Sequence, residues 1–406
     1  MKCFLASGLL AIALTFGVAH AQDPGKSVKI GVLNDQSSLY ADISGMGGVE
    51  AVKMAVADSA IEKRGWKVEV ISADHQNKPD IGANIARRWI DVENVDVIVD
   101  VPTSSIALAV NEITRDKNKV FLVSGAATSD LTGSKCTPNT VHWTYDTWAL
   151  ANGTGKAIVK TGGDTWFFLT ADYAFGHALE RDTAAVVEQN GGKVLGRVRT
   201  PFPGADFSSF LLQAQASKAK VIGLANAGGD TINSIKQAAE FGIVAGGQSL
   251  AGLLVFITDV HALGLPTAQG LIFTTAYYWD RNDASRAFAK RYAPLYKGLM
   301  PTMGSTGNYG VVLHYLKALE ALGSAADGAA VVAKMKEIPT DDPLYGKGMI
   351  RIDGRHIHDM YLYEVKKPAE SKYPWDYLKL RSTIPADEAF RPLKDGGCPL
   401  ARGKAL

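Results

Sequence analysis

The sequence predicts an α/β protein of two lobes, each built on a mostly parallel sheet. Three observations carry this. Strand and helix signals alternate from Lys26 onward, and the alternation restarts after Cys136. Runs such as Val120-Phe-Leu-Val123 are short, apolar and β-branched, so they read as buried strands. The chain has 406 residues, 47% of them apolar, enough for two domains of ordinary size.

The first strand is Val28-Lys-Ile-Gly-Val-Leu33, followed by a helix over Ser44–Ala60 with Val49, Val52 and Val56 on one stripe. Lys67-Val-Glu-Val-Ile71 alternates as a strand. Pro79–Val92 forms the next helix, with Pro79 in its first turn. Asp96-Val-Ile-Val-Asp-Val101 is a strand that runs into Pro102-Thr103-Ser104-Ser105, and Ile106-Ala-Leu-Ala-Val110 then has helical spacing. The pattern repeats when Val120–Val123 runs into Ser124-Gly125-Ala126-Ala127-Thr128-Ser129-Asp130-Leu131, expected to open a further helix. Ligands of open α/β sheets bind at the carboxyl ends of strands. A helix N-terminus there presents free N–H groups and a positive partial charge. Two such ends together would suit an anion such as a carboxylate. The same spacing also fits two ordinary helix caps.

In the second half the strand signals are Trp166–Leu169, Lys193–Leu195, Val221–Leu224 and Leu253–Phe256. Helices are expected at Ala174–Gln189, Asp206–Ser217 with Asp206 as N-cap, and Gly229–Phe241, each closing on Gly or Lys. Residues 283–336 read as helical, over Ala284–Lys297, Gly304–Leu322 and Gly328–Lys336. Short strands follow at Met349–Ile352 and Met360–Val365. Helices without intervening strands cannot build a third lobe, so they are expected to return to the first.

With 43 basic and 41 acidic residues and no basic cluster, nucleic acid and anionic membrane surfaces are poor partners. Lys2, the apolar run Phe4–Val18 and Ala19-His20-Ala21 have the pattern of a cleaved secretory leader (residues 1–21), with the mature chain starting at Gln22. No later run is long enough to span a bilayer, so an exported protein without membrane insertion is expected. Export leaves Cys136 and Cys398, an even pair in an oxidising compartment, expected to bond and tie the C-terminal tail to the first lobe.

Signatures of catalysis are missing: no G-x-S-x-G, Walker A, C-x-x-C or H-E-x-x-H occurs. Gly153-Thr154-Gly155-Lys156 lacks the upstream glycine of a phosphate loop and is expected inside a helix. His356-Ile-His358-Asp359 has no third metal ligand nearby, so both histidines are expected at the surface. Ser217-Lys-Ala-Lys220 fits S-x-x-K but lies in a polar turn. No cofactor or metal is expected. Aromatic residues are more informative. Trp143, Tyr145 and Trp148 fall where the chain should leave the first lobe, Tyr173 and Phe175 follow a strand end, and Tyr277, Tyr278 and Trp279 fall where it should cross back. They are expected to line an inter-lobe cleft, with Trp143 and Trp279 packing the hinge instead.

On these residues the chain resembles the type I periplasmic solute-binding proteins of ABC importers, in the branched-chain amino-acid (leucine/isoleucine/valine-binding) class. The likeness spans essentially the whole mature chain. It is carried by Tyr40-Ala41-Asp42, Thr103-Ser104-Ser105, the loop Ser124–Thr132, Ala171-Asp172-Tyr173-Ala174-Phe175-Gly176 and Asp206-Phe207-Ser208. The resemblance implies two doubly wound lobes joined by three crossovers that close on ligand. The lobes would comprise residues 22–145 plus 276–352 and 146–275 plus 353–390, with 391–406 returning to the first. It implies a periplasmic location and a permease of the inner membrane as partner.

By position, Ser104 is similar to a family serine that bonds the ligand carboxylate. Thr103 and Ser105 flank it; Gly125, Ala126 and Thr128 match a loop contacting the ligand head group. Tyr40 matches an aromatic cover from the first lobe. Phe175 stands at a family tyrosine, with Tyr173 beside it. Tyr145, Asn226, Gly228 and Tyr277 complete the expected lining. Two departures matter. The glutamate that holds the ligand ammonium in leucine-type members falls here on Leu253 or Leu254, and a tyrosine expected near Ala227-Gly228 is missing. Asp172 or Asp230 could substitute. A buried ammonium without counter-charge is costly. The expected ligand is therefore a carboxylate with no obligatory ammonium, an aromatic or short branched organic acid, with an amino acid as the alternative. A ligand-sensing receptor domain and a hydrolase on the same scaffold are the competing classes.

Overall fold

In a computed structural model that describes residues 26–402, the chain folds around two parallel sheets. The first has the order β2-β1-β3-β4-β5, from Ser27–Asn34 (β1), Lys67–Asp74 (β2), Val97–Asp100 (β3), Val120–Val123 (β4) and Thr140–His142 (β5). The order reverses between β1 and β3, since β1 pairs with both β2 and β3: Ile30 lies opposite Val70 on one side and Val97 on the other. β3 and β4 are buried at every residue, as strands covered on both faces must be. Helices Gly45–Ser59, Pro79–Asp91 and Ser104–Asp116 connect them.

The second sheet has the order β7-β6-β8-β9, from Thr165–Ala171 (β6), Lys193–Thr200 (β7), Val221–Ala225 (β8) and Ser249–Gly252 (β9). Its helices are Ala174–Gln189, Ser208–Ala216 and Gly229–Glu240. Ile272–Thr275 (β10) then leads back to helix Met303–Leu322, which packs on helix Gly45–Ser59 beside the first sheet. Three short strands, Thr340–Asp342 (β11), Gly346–Ile350 (β12) and His356–Ile357 (β13), form an antiparallel hairpin layer. The chain crosses once more into Met360–Val365 (β14) and Leu378–Ile384 (β15), which pair antiparallel with β10 in the order β10-β14-β15. Phe273, Tyr363 and Leu378 of these strands share one core with Leu169, Ile222 and Val255.

Several elements differ from expectation. Leu253–Phe256 is not a strand: β9 precedes it, and these four buried residues turn into helix Ile257–Leu263. The loop after β4 opens only a single 3-10 turn, Ser129–Thr132, because Gly133 and the Cys136 tether end it. Asp206 stands before the helix rather than at its cap. Its carboxylate accepts from Ser208 N at 2.9 Å, and Phe207 occupies the cap position. The helix from Asp283 stops at Tyr292, where Pro294 allows only a 3-10 turn, Ala293–Leu295. The strand expected at Met349–Ile352 is β12.

Gly153-Thr154-Gly155-Lys156 does lie in helix: Thr147–Leu150 runs through a π turn at Ala151–Gly155 into Lys156–Lys160. A Cβ at Gly153 would come within 2.2 Å of Thr274 Oγ1, so glycine here lets the helix approach β10. Cys136 and Cys398 are bonded, with Cα atoms 5.6 Å apart across 262 residues. Arg391 donates to Ser129 O at 2.9 Å, which holds the tail beside the same loop. No helix among the described residues is long and apolar enough to cross a membrane. The leader segment 1–21 and Gln22 lie outside the described residues.

Candidate functional site

The residues that meet between the two sheets leave the carboxyl ends of strands in nearly every case. Tyr40 and Ile43 follow β1, Pro102 follows β3, Gly125 and Ala127 follow β4, and Tyr145 follows β5. From the other side come Tyr173 and Phe175 after β6, Ala227 after β8 and Leu254 after β9. These ten residues line a narrow space between the sheets that is partly open to solvent. Parallel strands present their loops at one edge, so two such edges facing each other make a cleft.

The first-lobe wall is held by local hydrogen bonds. The carboxylate of Asp35 accepts from Tyr40 N at 2.7 Å, Ser38 N at 2.9 Å and the Asn77 amide at 2.5 Å, which winds the 35–40 loop around it. Tyr40 is thereby aimed across the cleft, where its hydroxyl meets that of Tyr173. Phe202 stacks on Tyr173 at 4.0 Å and lies 5.6 Å from Tyr40, so three rings close one end. Tyr145 donates to Gly125 O at 2.6 Å and packs edge-on to Phe256.

Ser104 begins helix Ser104–Asp116, and its Oγ accepts from Thr128 N at 3.2 Å. Thr128 Oγ1 accepts from Asp130 N at 3.4 Å. Both side chains are buried, and both hydroxyls are used only as acceptors, so each keeps a proton to donate. The two sequence-distant loops are therefore joined, with a helix N-terminus behind them. Thr103 donates to Asn77 Oδ1, and Ser105 is half-buried. The carbonyls of Gly125 and Ala126 are taken by Tyr145 and by the His142 ring. Beneath Gly125 lies Asp100, fully buried and bonded to Asn34 and Asn308 at 3.0 and 2.9 Å; burial pushes its carboxyl up from the usual range.

No charged side chain lines the space. Leu254, rather than Leu253, stands on the wall. Asp172 is turned to the surface and paired with His177 at 2.7 Å, which removes it as a counter-charge. Asn226 faces its own loop, bonded to Ser234 and Thr231. Gly228 adopts φ 57° and lies against the first lobe: a Cβ there would be 2.8 Å from Leu39 O and 3.0 Å from Tyr40 Cδ1. Tyr277 is buried away from the cleft and donates to Ser285 O at 3.1 Å.

Sequence reasoning missed Ile43, Pro102, Ala127, Ala227 and above all Phe202. The strand before Phe202 was read as ending at Leu195. β7 instead runs to Thr200, and the rule that ligands meet strand carboxyl ends then points to Phe202.

The crossovers are packed, not open. The buried Arg355 guanidinium donates to Tyr145 O and His356 O, both at 3.0 Å, lies 3.6 Å from Asp146 and covers the Phe390 ring. Contrary to expectation, His356 and His358 are buried. His356 stacks on Trp143 at 3.7 Å, and the two His358 ring nitrogens lie 2.8 Å from the carbonyl oxygens of Thr144 and Asp359, one of which the single N–H of a neutral ring can serve. Two imidazoles beside a buried guanidinium are held neutral: burial pushes His358 down to about 4 and His356 lower than its ordinary value. Trp143 and Trp279 pack at the crossovers, the latter donating to Trp375 O at 3.0 Å.

Residues 27–371 match the family model described as periplasmic binding protein. A crystal structure of a periplasmic binding protein from Burkholderia mallei is 55% identical, covering 92% of this chain and 99% of that one, with a TM-score of 0.89. A branched chain amino acid ABC transporter periplasmic ligand-binding protein from Burkholderia xenovorans LB400 is 39% identical, covering 92% and 100%, with a TM-score of 0.82. The Leu/Ile/Val-binding protein homolog 6 of Brucella melitensis is 26% identical over 92% of this chain and 95% of its own. At the level of fold alone, a solute-binding protein from R. palustris, solved in complex with benzoate, is 22% identical with a TM-score of 0.77, covering 92% and 100%.

Proposed function

The chain belongs to the periplasmic binding proteins, in the branched-chain class of ABC-transporter substrate-binding proteins, and on that premise we propose that it captures a small organic acid in the inter-lobe cleft. Family membership makes it an extracytoplasmic binding component rather than an enzyme, with an ABC permease as partner.

The favoured ligand is an aromatic or short branched carboxylate. Ser104 and Thr128 donate their free hydroxyl protons to the carboxylate, and the helix behind Ser104 adds its positive end. Tyr40, Tyr173 and Phe175 cover the apolar body. The two lobes, 22–145 plus 276–352 and 146–275 plus 353–390, separate to admit the ligand. They close because it touches both. The observation that carries this reading is the cleft wall itself: aromatic rings, with no charged side chain and Leu254 where an ammonium would need an acid.

Calorimetry on refolded, ligand-free protein tests it. Benzoate-type acids should bind; micromolar leucine binding with no response to those acids would end the reading. A branched-chain amino-acid ligand is the second reading, favoured by the relative from B. xenovorans.

A further inference from the structure

Asp100 is the last residue of β3, and the chain turns there at a cost. Asp100 has φ 83° and Val101 φ 53°, two successive non-glycine residues in the left-handed region, one of them β-branched. The turn sends Pro102 to the cleft wall and the Asp100 carboxylate beneath it. A Cβ at Gly125, on the same wall, would lie 2.5 Å from Asp100 Oδ1 and 2.8 Å from Pro102 Cα. The carboxylate thus lies against the back of the wall. Its surroundings are polar and neutral. Asn34 from β1 and Asn308 from helix Met303–Leu322 donate to Oδ2, the hydroxyls of Ser44 and Ser124 favour its charged form, and helix Gly45–Ser59 presents Gly48. The titratable groups that sense it are phenols. Tyr145, on the cleft wall, is raised by burial first and by the charge of Asp100 next; Tyr292, raised chiefly by burial, feels the same charge. No cation is among these groups, and Asp100 Oδ1 is buried without a hydrogen-bond partner.

We propose that Asp100 makes the capture of an anion proton-linked: a ligand carboxylate arriving in front of the Gly125 and Pro102 wall drives a proton onto Asp100 behind it, so the cleft takes up cargo and proton together. The proposal rests on the reading of the cleft as a carboxylate site and adds what balances its charge. Two like charges held close together away from water repel strongly until one is neutralised. With no charged side chain on the wall, no fixed cation offsets the pair. Burial already pushes the Asp100 carboxyl above the ordinary carboxylate range, and a second anion pushes it further the same way. The two amides hold Oδ2 in either state, which leaves Oδ1 to take the proton without rearranging the loop. The class of ligand that fits is a monoanionic acid, because one proton leaves the second charge of a dianion uncompensated.

Calorimetry on the ligand-free, full mature chain from about pH 5.5 to about 8.5 tests this, with benzoate, 4-hydroxybenzoate and 4-methylpentanoate as probes whose carboxylates stay ionised. Titrations in phosphate and in Tris, whose ionisation heats differ, count the protons taken up. For an acid that binds, the wild type should take up as much as about one proton per anion, and Kd should rise with pH by up to about tenfold per unit. Asp100→Asn stands for the protonated acid and keeps an oxygen for both amides. It should bind the same acid at least as tightly at about pH 8, with the uptake and the slope gone. Asp100→Ser gives the same readout without the added amide protons, should the first variant misfold. An acid bound by the wild type with no proton uptake at any pH overturns the proposal and spares the cleft reading. Uptake that persists in both variants does the same, since another group then carries the proton. Absence of binding by every acid overturns the carboxylate reading and this proposal with it.

Discussion

Tyr40 and Tyr173, 133 residues apart in sequence, share a hydrogen bond of 2.5 Å between their hydroxyls, one ring from each lobe. Other direct polar contacts join the two sides: Thr258 Oγ1 donates to Asp42 O at 3.1 Å, Gly229 N to Leu39 O at 3.4 Å and Ser129 Oγ to Asp182 at 2.6 Å, and Arg181 pairs with Asp130 at 3.1 Å. The tyrosine pair is the one formed by two side chains that line the cleft. Removing either hydroxyl, as in Tyr40→Phe or Tyr173→Phe, should shift the ligand-free protein toward the open form by about 0.5–1.5 kcal/mol. Small-angle scattering should show a larger radius of gyration for the variants without ligand and convergence with the wild type when ligand is saturating.

On the proposed reading, Ser104→Ala and Thr128→Ala each remove one hydroxyl proton offered to the ligand carboxylate. Each should raise Kd by about tenfold or more, since bonds to charged groups are worth about 1.5–3 kcal/mol. Ser104→Ala also frees Thr128 N, so the double variant should lose less than the sum of the singles. Calorimetry on the three variants checks both statements, and unchanged affinity in the double variant removes the cradle from the site.

Cys136 and Cys398 close a loop of 262 residues in sequence separation. Chain-entropy reasoning assigns such a closure about 5 kcal/mol, an upper figure. Cys136→Ser with Cys398→Ser should lower the thermal midpoint by several degrees and abolish its sensitivity to reductant. The tail from Arg391 should become the first site cut by protease, because its remaining anchors are few side-chain bonds such as Arg391 to Ser129 O.

Asp259 is buried, accepts from Phe256 N at 2.8 Å, and is pushed up to about 7 by desolvation, from 3.8 unfolded. A carboxyl raised in the folded state binds its proton more tightly there. Its contribution is therefore fully present below about pH 4 and is lost as pH rises through 7, at about 1.4 kcal/mol for each pH unit in that window. Asp259→Asn has no such loss. The midpoint difference between variant and wild type should move in the variant's favour from pH 5 to pH 8; a constant difference by calorimetric melting would show that Asp259 is ionised throughout. His75, pushed down to about 4 by burial, acts with the opposite sign but is common to both proteins and cancels.

Much of the fold was legible because neighbouring residues carried it. Val120–Val123 is apolar throughout and becomes a strand buried throughout, and helix Ala174–Gln189 begins and ends where its spacing and the following Gly191 indicate. Local signals failed where a residue's surroundings come from elsewhere. The Leu253–Phe256 run is apolar because it is squeezed between core and cleft, not because it pairs in a sheet. The helix expected around Gly153 is present, but only its contact with Thr274 explains why a glycine stands there. His356 and His358 look polar in sequence and are buried, because Trp143 covers the first ring and backbone carbonyls meet the second.

By itself the sequence determined the α/β class, most strands of the two parallel sheets, and the loops at their carboxyl ends where Tyr40, Ser104, Thr128 and Tyr173 lie. Those are properties of periodicity and capping, read within a dozen residues. Only the tertiary structure decided that Tyr40 meets Tyr173, that Asp172 points to solvent while Asp230 is buried with one oxygen unpaired, and that Phe202 joins the wall. The reason is that a side chain's charge cost and its partners depend on which elements the crossovers bring against it, and no local pattern encodes a neighbour more than a hundred residues away.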